Sequence, residues 1–324
     1  MIISIDIGNG YVKAVNERSK MLHFPTALKE KSDDDIVFNK NANYIMEIDG
    51  SGFFIGDIAI VKGADRSWKA GREFNKNTYY YIALCSHLLS GDSNDVNICL
   101  GLPFSYFIGL NKGKALVEEL ENKEIRTEYG GKGKATVIKK VSVYCQGIGA
   151  YMCNLFDNKG NLLPNASNLI KSLVIDIGFR TVDVVGFEKI NGQFELKTGF
   201  SLEHMGITNS LSQIVKNISK FTDFNINEIE YAIKDNDSRL SYTFGEIDLK
   251  GYEEKAYSQL AEMIMSEVAR RLAGDLNKYN NIFITGGGAA KIEKYIKNSF
   301  AQIKLQDDPI FANAKGYIIL EQMS

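Results

Sequence analysis

Two stretches of this chain repeat one design. Residues 2–15 read I-I-S-I-D-I-G-N-G-Y-V-K-A-V, and residues 173–186 read L-V-I-D-I-G-F-R-T-V-D-V-V-G. Each is a short apolar strand, an Asp-Ile-Gly turn and a second alternating strand. In the first copy Asn9-Gly10 is a hairpin signal, because both residues accept the positive φ angles of a tight turn. The copies lie about half a chain apart, which predicts two lobes of related design.

The rest of the chain fills in around these hairpins. Ser51–Ile60 reads as a further strand pair turning at Gly50-Ser51-Gly52, and residues 74–90 as a helix ending before Gly91. Val96–Leu102 is a buried strand stopped by Pro103, residues 111–121 a charged helix, and Ile125–Tyr144 a hairpin around Gly130-Gly131. Gly147–Phe156 is helical. In the second half Phe194–Leu202 reads as a strand, and Thr208–Phe221 as a helix with Thr208 or Asn209 as its cap. Asn227–Lys234 is a short helix, Leu240–Leu249 is strand-like, and residues 252–279 form one long amphipathic helix. Ile282–Thr285 is a strand running into Gly286-Gly287-Gly288, and residues 290–300 are helical again. Strands alternating with helices make the class α/β.

With 324 residues the chain is long enough for two medium domains, each with its own core. A formal net charge of -2 gives no bulk attraction to nucleic acid. The 29 glycines against 4 prolines suggest tight turns and backbone placed close to a ligand rather than disordered linkers. Cys85, Cys99, Cys145 and Cys153 lie in apolar runs without a C-x-x-C pair, so buried free thiols in a reducing cytosol are expected. Asp6 interrupts the N-terminal apolar run, which argues against a signal peptide. No stretch approaches the ~20 apolar residues of a membrane span, and the last residues are too few for an amphipathic anchor. A cytoplasmic protein with no membrane partner is expected.

The chemistry centres on Asp6 and Asp176. Each stands where an apolar strand turns, just before a glycine. A carboxylate at such a place is costly to bury unless it meets a cation or a donor. The glycine after it lets backbone approach a bulky ligand, and N–H groups in such a turn can hold phosphate oxygens. One aspartate of this kind commonly just stabilises its own turn. Two, at half-chain spacing, suit a hydrated magnesium ion on a triphosphate. Ile284-Thr285-Gly286-Gly287-Gly288-Ala289, between strand and helix, leaves space for a flat group against the backbone. It is not the phosphate loop G-x-x-x-x-G-K-[ST]. Gln146-Gly147-Ile148-Gly149-Ala150 opens a helix, and a glutamine can orient a water for attack on a γ-phosphate. His23, His87 and His204 lack metal-ligand spacing and read as structural.

Taken together these pieces resemble the actin superfamily, the group that includes actin, sugar kinases and heat-shock chaperones. Asp6-to-Lys13 resembles its first phosphate motif, Gln146-to-Ala150 the first connecting motif and Asp176-to-Asp183 the second phosphate motif. Ile284-to-Ala289 resembles the adenosine motif and Asn313-Ala314-Lys315-Gly316 the second connecting motif. Size and the Gly101-Leu102-Pro103 strand end look most like bacterial and archaeal actin-like proteins, with the plasmid-segregation actins (the ParM group) as the match. The resemblance implies a two-lobed ATPase fold of duplicated ribonuclease-H-like domains, each on a mixed five-stranded sheet, with nucleotide in a cleft between them. The lobes would be residues 1–148 with a return at 310–324, and 149–309.

Carried over by position, Asp6 and Asp176 would hold magnesium through water. Gly8, Asn9, Gly10 and Lys13 would contact phosphates from the first turn, and Gly178, Arg180 and Thr181 from the second. Gln146 would position the attacking water. Gly286, Gly287 and Gly288 would face base and ribose, and Gly206 would be another nucleotide-facing glycine. Phe179-Arg180 departs from the small residues many relatives carry there. The implied function is an ATP- or GTP-dependent filament of this chain that segregates plasmid DNA through a DNA-binding adaptor, without direct nucleic-acid contact. The alternative is a small-molecule, sugar-type kinase, which needs a general base; no Asp stands in a setting that demands that role, and Asp183 and Asp57 are the positions left open for it. A chaperone role is disfavoured, since little chain follows Gly316.

Overall fold

The computed structural model describes residues 1–32, 34–35, 44–64, 66, 76–108, 112–221, 223–297 and 302–324. It divides into two compact units, Met1–Asn168 with Ile310–Ser324, and Leu169–Pro309. Residues 149–168 sit in the first unit, whereas the sequence-based division begins the second lobe at 149.

The first unit runs β1 (Ile2–Ile7), β2 (Tyr11–Asn16), β3 (Met21–Pro25), β4 (Leu28–Glu30), β5 (Tyr44–Ile48), β6 (Ser51–Ile55), α1 (Asp57–Val61), α2 (Lys76–Leu89), β7 (Asp95–Leu102), α3 (Phe104–Ile108), α4 (Lys112–Leu120), β8 (Glu124–Tyr129), β9 (Lys132–Cys145) and α5 (Ile148–Leu155). The C-terminal helix, Ala312–Met323, belongs to the same unit. Among the described residues the sheet has nine strands in the order β3-β2-β1-β7-β9-β8-β5-β6-β4. It exceeds the expected five because β9 is long. The second part of β9 pairs with β7 and the first part with β8, so the sheet continues through β8 to β5, β6 and β4.

β1 is a continuous apolar run because both of its faces are covered. Ile3, Ile5 and Ile7 share a cluster with Ile82 and Leu84 of α2. Ile2 and Val15 pack with Ala314 and Ile318 of the C-terminal helix. Side chains alternate between faces, so Ser4 and Asp6 lie on the face of the C-terminal helix.

One expectation changes here. Ser51–Ile60 is not a strand pair: Ser51–Ile55 pairs with the upstream β5, and Asp57–Val61 is helical after a turn at Gly56. The helix expected over 74–90 is α2, and the helix over 111–121 is α4; positions 74, 75 and 111 lie outside the described residues. Cys85, Cys99 and Cys145 are buried and Cys153 partly so, all of them free thiols. Burial pushes the Cys85 thiol well above its ordinary pKa.

The second unit runs β10 (Lys171–Ile177), β11 (Val182–Ile190), β12 (Gln193–Leu202), α6 (Ile207–Ile218), α7 (Ile226–Asp235), β13 (Arg239–Tyr242), β14 (Gly245–Asp248), α8 (Lys250–Arg271), β15 (Asn281–Thr285), α9 (Ala289–Lys297) and β16 (Ile303–Leu305). Its sheet has five described strands, β12-β11-β10-β15-β16, with β13–β14 as a separate hairpin. Leu173, Ile175 and Ile177 face a core built with Leu211, Leu260 and Ile292 of α6, α8 and α9. By the same alternation Asp176 lies on the opposite face.

The strand expected over Leu240–Leu249 is this hairpin, broken at Thr243-Phe244. The long helix expected to reach 279 stops at Arg271. Ala273 (φ 50°) and Gly274 (φ 83°) take left-handed conformations there, and a short 3₁₀ turn, Asp275–Lys278, follows. α9 ends at Lys297, and 298–300 lie outside the described residues. No helix among the described residues is long and apolar enough to cross a membrane.

Candidate functional site

Asp6 is the penultimate residue of β1, with its side chain buried, and the register places it directly across from Lys13 on β2. Lys13 Nζ donates to Asp6 Oδ2 at 3.2 Å, and Gln146 Nε2 donates to Asp6 Oδ1 at 2.9 Å. Each hydrogen bond to a charged group contributes roughly 1.5–3 kcal/mol, which offsets the desolvation of the carboxylate. The structure therefore brings three of the expected residues into one cluster. Gln146 uses its amide N–H₂ on Asp6, which leaves Oε1 as the acceptor end of the side chain.

The turn after β1 is closed by Gly8 N–H, which donates to Tyr11 O at 3.0 Å. Thr26 braces it from the side: its Oγ1 donates to Gly8 O at 2.7 Å and its N–H to Gly10 O at 2.9 Å. No motif marks Thr26 in the sequence, because its contribution depends on β3 folding back beside β2.

Gln146 and the two connecting motifs also meet inside the first unit. Gln146 N–H donates to Leu102 O at 2.7 Å, which fixes β9 against the end of β7. Asn313 Oδ1 accepts from Gly147 N at 2.9 Å and from Ala150 N at 3.3 Å, so it serves the N-terminus of α5 from the C-terminal helix. The two helices touch backbone to backbone at Gly149 and Gly316.

The second turn has the same closure by a different brace. Gly178 N–H donates to Thr181 O at 2.9 Å. The carbonyls of Gly178, Phe179 and Arg180 accept from the N–H groups of Ile207, Thr208 and Gly206, at 3.2, 2.8 and 3.0 Å. That corrects the expected cap: Thr208 and Asn209 do not cap α6, whose N-cap is Gly206 without a side-chain bond, because the turn's own carbonyls satisfy the first helical N–H groups. The carbonyls of a trans peptide point opposite to the next N–H, so the N–H groups of Phe179, Arg180 and Thr181 are aimed away from α6. Such successive amides suit an anion. Backbone bonds to α6 hold the loop in place, and the Phe179 side chain packs against the core of this unit. Gly206 is placed against this loop, where a β-carbon would come within 2.4 Å of Phe179 O.

Asp176 is the penultimate residue of β10, 7% exposed, and pairs in register with Thr285 on one side and Asp183 on the other. Gly286 follows Thr285 at φ 88°, and a β-carbon there would lie 2.2 Å from Asp176 Oδ1. Gly288 donates its N–H to Ile177 O at 2.9 Å and packs on Ile207. Of the three glycines Gly287 is the open one, with nothing within 4 Å of where a β-carbon would stand. Pro309 O accepts from Gly286 N at 3.0 Å and from Thr285 Oγ1 at 3.1 Å, which closes the corner. Asp183 is buried and accepts from Ser201 Oγ at 2.5 Å, and Asp57 lies exposed in the first turn of α1. His87 Nδ1 lies 2.7 Å from Thr127 Oγ1, and His23 stacks on Tyr11 at 4.7 Å between centroids.

Known proteins carry the same organisation. The model of the actin-like proteins' N-terminal domain matches residues 4–149, and that of the archaeal actin homologue MreB-like C-terminal domain matches residues 174–298. Among solved structures, a 15-stranded ParM filament from Clostridium botulinum is 22% identical with TM-score 0.82, covering 100% of this chain and 99% of that one. An archaeal actin homologue is 21% identical with the same coverage and TM-score. Bacillus thuringiensis ParM with ATP is 18% identical at TM-score 0.70, covering 99% of this chain and 98% of that one. No curated protein matches in sequence. The two family models match one on each side of residues 150–173 and leave little of the chain unmatched, and the chain belongs to the actin-like proteins of the actin superfamily.

Proposed function

We propose that this chain binds a nucleoside triphosphate with magnesium, hydrolyses it, and assembles with copies of itself into a filament. The observation that carries this reading is the duplicated turn: Asp6 and Asp176 are each the penultimate residue of a buried strand, and each strand is followed by a turn closed from glycine N–H to the residue three further on. In this reading Gly8, Asn9, Gly10 and Lys13 meet phosphates from one turn, and Gly178, Arg180 and Thr181 from the other. Gln146 holds the attacking water through Oε1. Gly287, with Gly286 and Gly288 shaping the corner beneath it, faces base or ribose, and Gly206 serves by letting α6 approach the second turn.

The donors fit a hydrated magnesium ion. Among the described residues no group of three or more His, Cys, Asp or Glu side chains is assembled. Single carboxylates beside phosphate oxygens match a cation that keeps several waters. When bound, magnesium neutralises phosphate charge. Lys13 contributes in the same sense from the protein side, since its ammonium sits at Asp6 in the first turn.

Support for assembly comes from the ParM filament and for nucleotide from ParM with ATP. Plasmid segregation through a DNA-binding adaptor is the finer part of the proposal; a net charge of -2 agrees with indirect rather than direct contact with DNA. Sedimentation with magnesium and ATP, GTP or a non-hydrolysable analogue tests assembly. Nucleotide-dependent pelleting is expected, and its absence over a wide protein concentration range overturns the filament reading. Co-pelleting of plasmid DNA only when the adaptor is added tests the finer part.

A further inference from the structure

We propose that Thr26 is the positioning residue of the first phosphate turn; this rests on the nucleotide reading above. Thr26 follows β3 and is 2% exposed. From this one residue the hydroxyl takes the carbonyl of Gly8 and the backbone N–H takes the carbonyl of Gly10. No described peptide bond is cis. In a trans peptide the carbonyl and the following N–H point opposite ways. Drawing the carbonyls of Gly8 and Gly10 toward Thr26 therefore turns the N–H groups of Asn9 and Tyr11 away from it. The hydroxyl on Gly8 O thus orients the Asn9 amide, a donor of the kind that suits an anion.

The brace is itself fixed. Ala27 O accepts from Gly56 N at 2.9 Å, which ties the segment after β3 to the end of β6. The Tyr11 ring is stacked on His23 at 4.7 Å and has the Arg66 guanidinium 5.5 Å from its centre. Donors held this way need no reorganisation when a charged group arrives, which is where their energetic value lies.

The second turn shows why Thr26 matters. There the same orientation is set by three backbone N–H groups of the α6 terminus, which no side-chain substitution removes. The first turn depends on one hydroxyl for Gly8. Thr26→Val keeps the shape, the β-branch and the N–H to Gly10, and deletes only the bond to Gly8 O. Thr26→Ser keeps that bond.

The test uses the full chain with magnesium and a fluorescent ATP analogue, displaced by ATP or by adenosine, which has no phosphate. Thr26→Val is expected to weaken ATP about tenfold while adenosine displaces as in the parent protein, and Thr26→Ser to stay within about twofold of the parent for both. The proposal is overturned if Thr26→Val binds ATP like the parent, if ATP and adenosine weaken equally, or if Thr26→Ser fails to restore affinity. If the parent protein itself binds no nucleotide, the nucleotide reading fails, and this assignment falls with it.

Discussion

Asp183 stands directly across from Asp176 in the β10–β11 register, the place that Lys13 holds across from Asp6 in the β1–β2 register. The two hairpins share a fold and differ in charge. In the first, the buried carboxylate meets an ammonium at 3.2 Å. In the second, two buried carboxylates face each other, and like charges directly opposite destabilise a pair of strands. Asp183→Asn removes one of them and keeps an oxygen to accept from Ser201. In nucleotide-free protein with a chelator, this variant is expected to unfold about 1 kcal/mol later than the parent in urea. A lower stability would show that the opposed carboxylates are not in conflict.

Much of this site is legible in the sequence, and the reasons are local. Asp6-Ile7-Gly8 and Asp176-Ile177-Gly178 are marked by an apolar run, an acid and a glycine in order, and both hairpins form where that pattern puts them. Elements that depend on distant partners are not marked. Asp57–Ile60 reads as strand because Ile58 and Ile60 alternate, a pattern that fits either period over so few residues. The break at Thr243-Phe244 is hidden, since Phe244 carries no turn preference; Gly245 beside it is the signal that could have found it. Gly274 likewise marks the stop of α8, although the apolar spacing runs on to Tyr279. Thr26 could be found only by knowing that β3 returns beside β2.

The C-terminal helix is held to β9 by a charge that titrates. Glu321 accepts from Tyr144 OH at 2.9 Å and pairs with Lys140 at 2.7 Å. Burial works to raise the Glu321 pKa, but hydrogen bonds from Lys140, Ser142 and Tyr144 and the charge of Lys140 outweigh it and hold the carboxyl below its ordinary 4.5. A carboxyl lowered in the folded state adds stability above its unfolded pKa and loses it as pH falls through the folded one. Stability measured from pH 7 downward is expected to fall below about pH 4.5 with a share that Glu321→Gln removes. The same variant is expected to cost on the order of 1 kcal/mol at pH 7. Parallel acid limbs for parent and variant would exclude the assignment.

Gly149 and Gly316 set how closely α5 and the C-terminal helix approach. A β-carbon on Gly316 would lie 1.9 Å from Gly149 O, against backbone that cannot rotate aside. Gly316→Ala is expected to cost at least about 3 kcal/mol in urea unfolding, the upper end for overpacking. Gly133→Ala is the control, because nothing lies within 4 Å of its β-carbon. Equal losses for the two variants would mean that the close approach of the two helices is not what sets the cost.

Gln146 joins two tasks, holding Asp6 through Nε2 at 2.9 Å and, in the proposed reaction, orienting water through Oε1. Gln146→Ala removes both; Gln146→Glu keeps an acceptor for water but sets a second carboxylate against Asp6. Asp6 retains Lys13 in either case, so the turn keeps a cation at the carboxylate. Gln146→Ala is expected to lower the single-turnover hydrolysis rate about a hundredfold, the scale on which one positioned group contributes. Nucleotide affinity is expected to change by less than about threefold, because Gly8, Asn9, Lys13 and the second turn are untouched. Gln146→Glu is expected to be as slow at neutral pH and to recover part of its rate in mild acid, where one of the facing carboxyls takes up a proton. A Gln146→Ala protein that hydrolyses at the parental rate would move the water-orienting role to another residue.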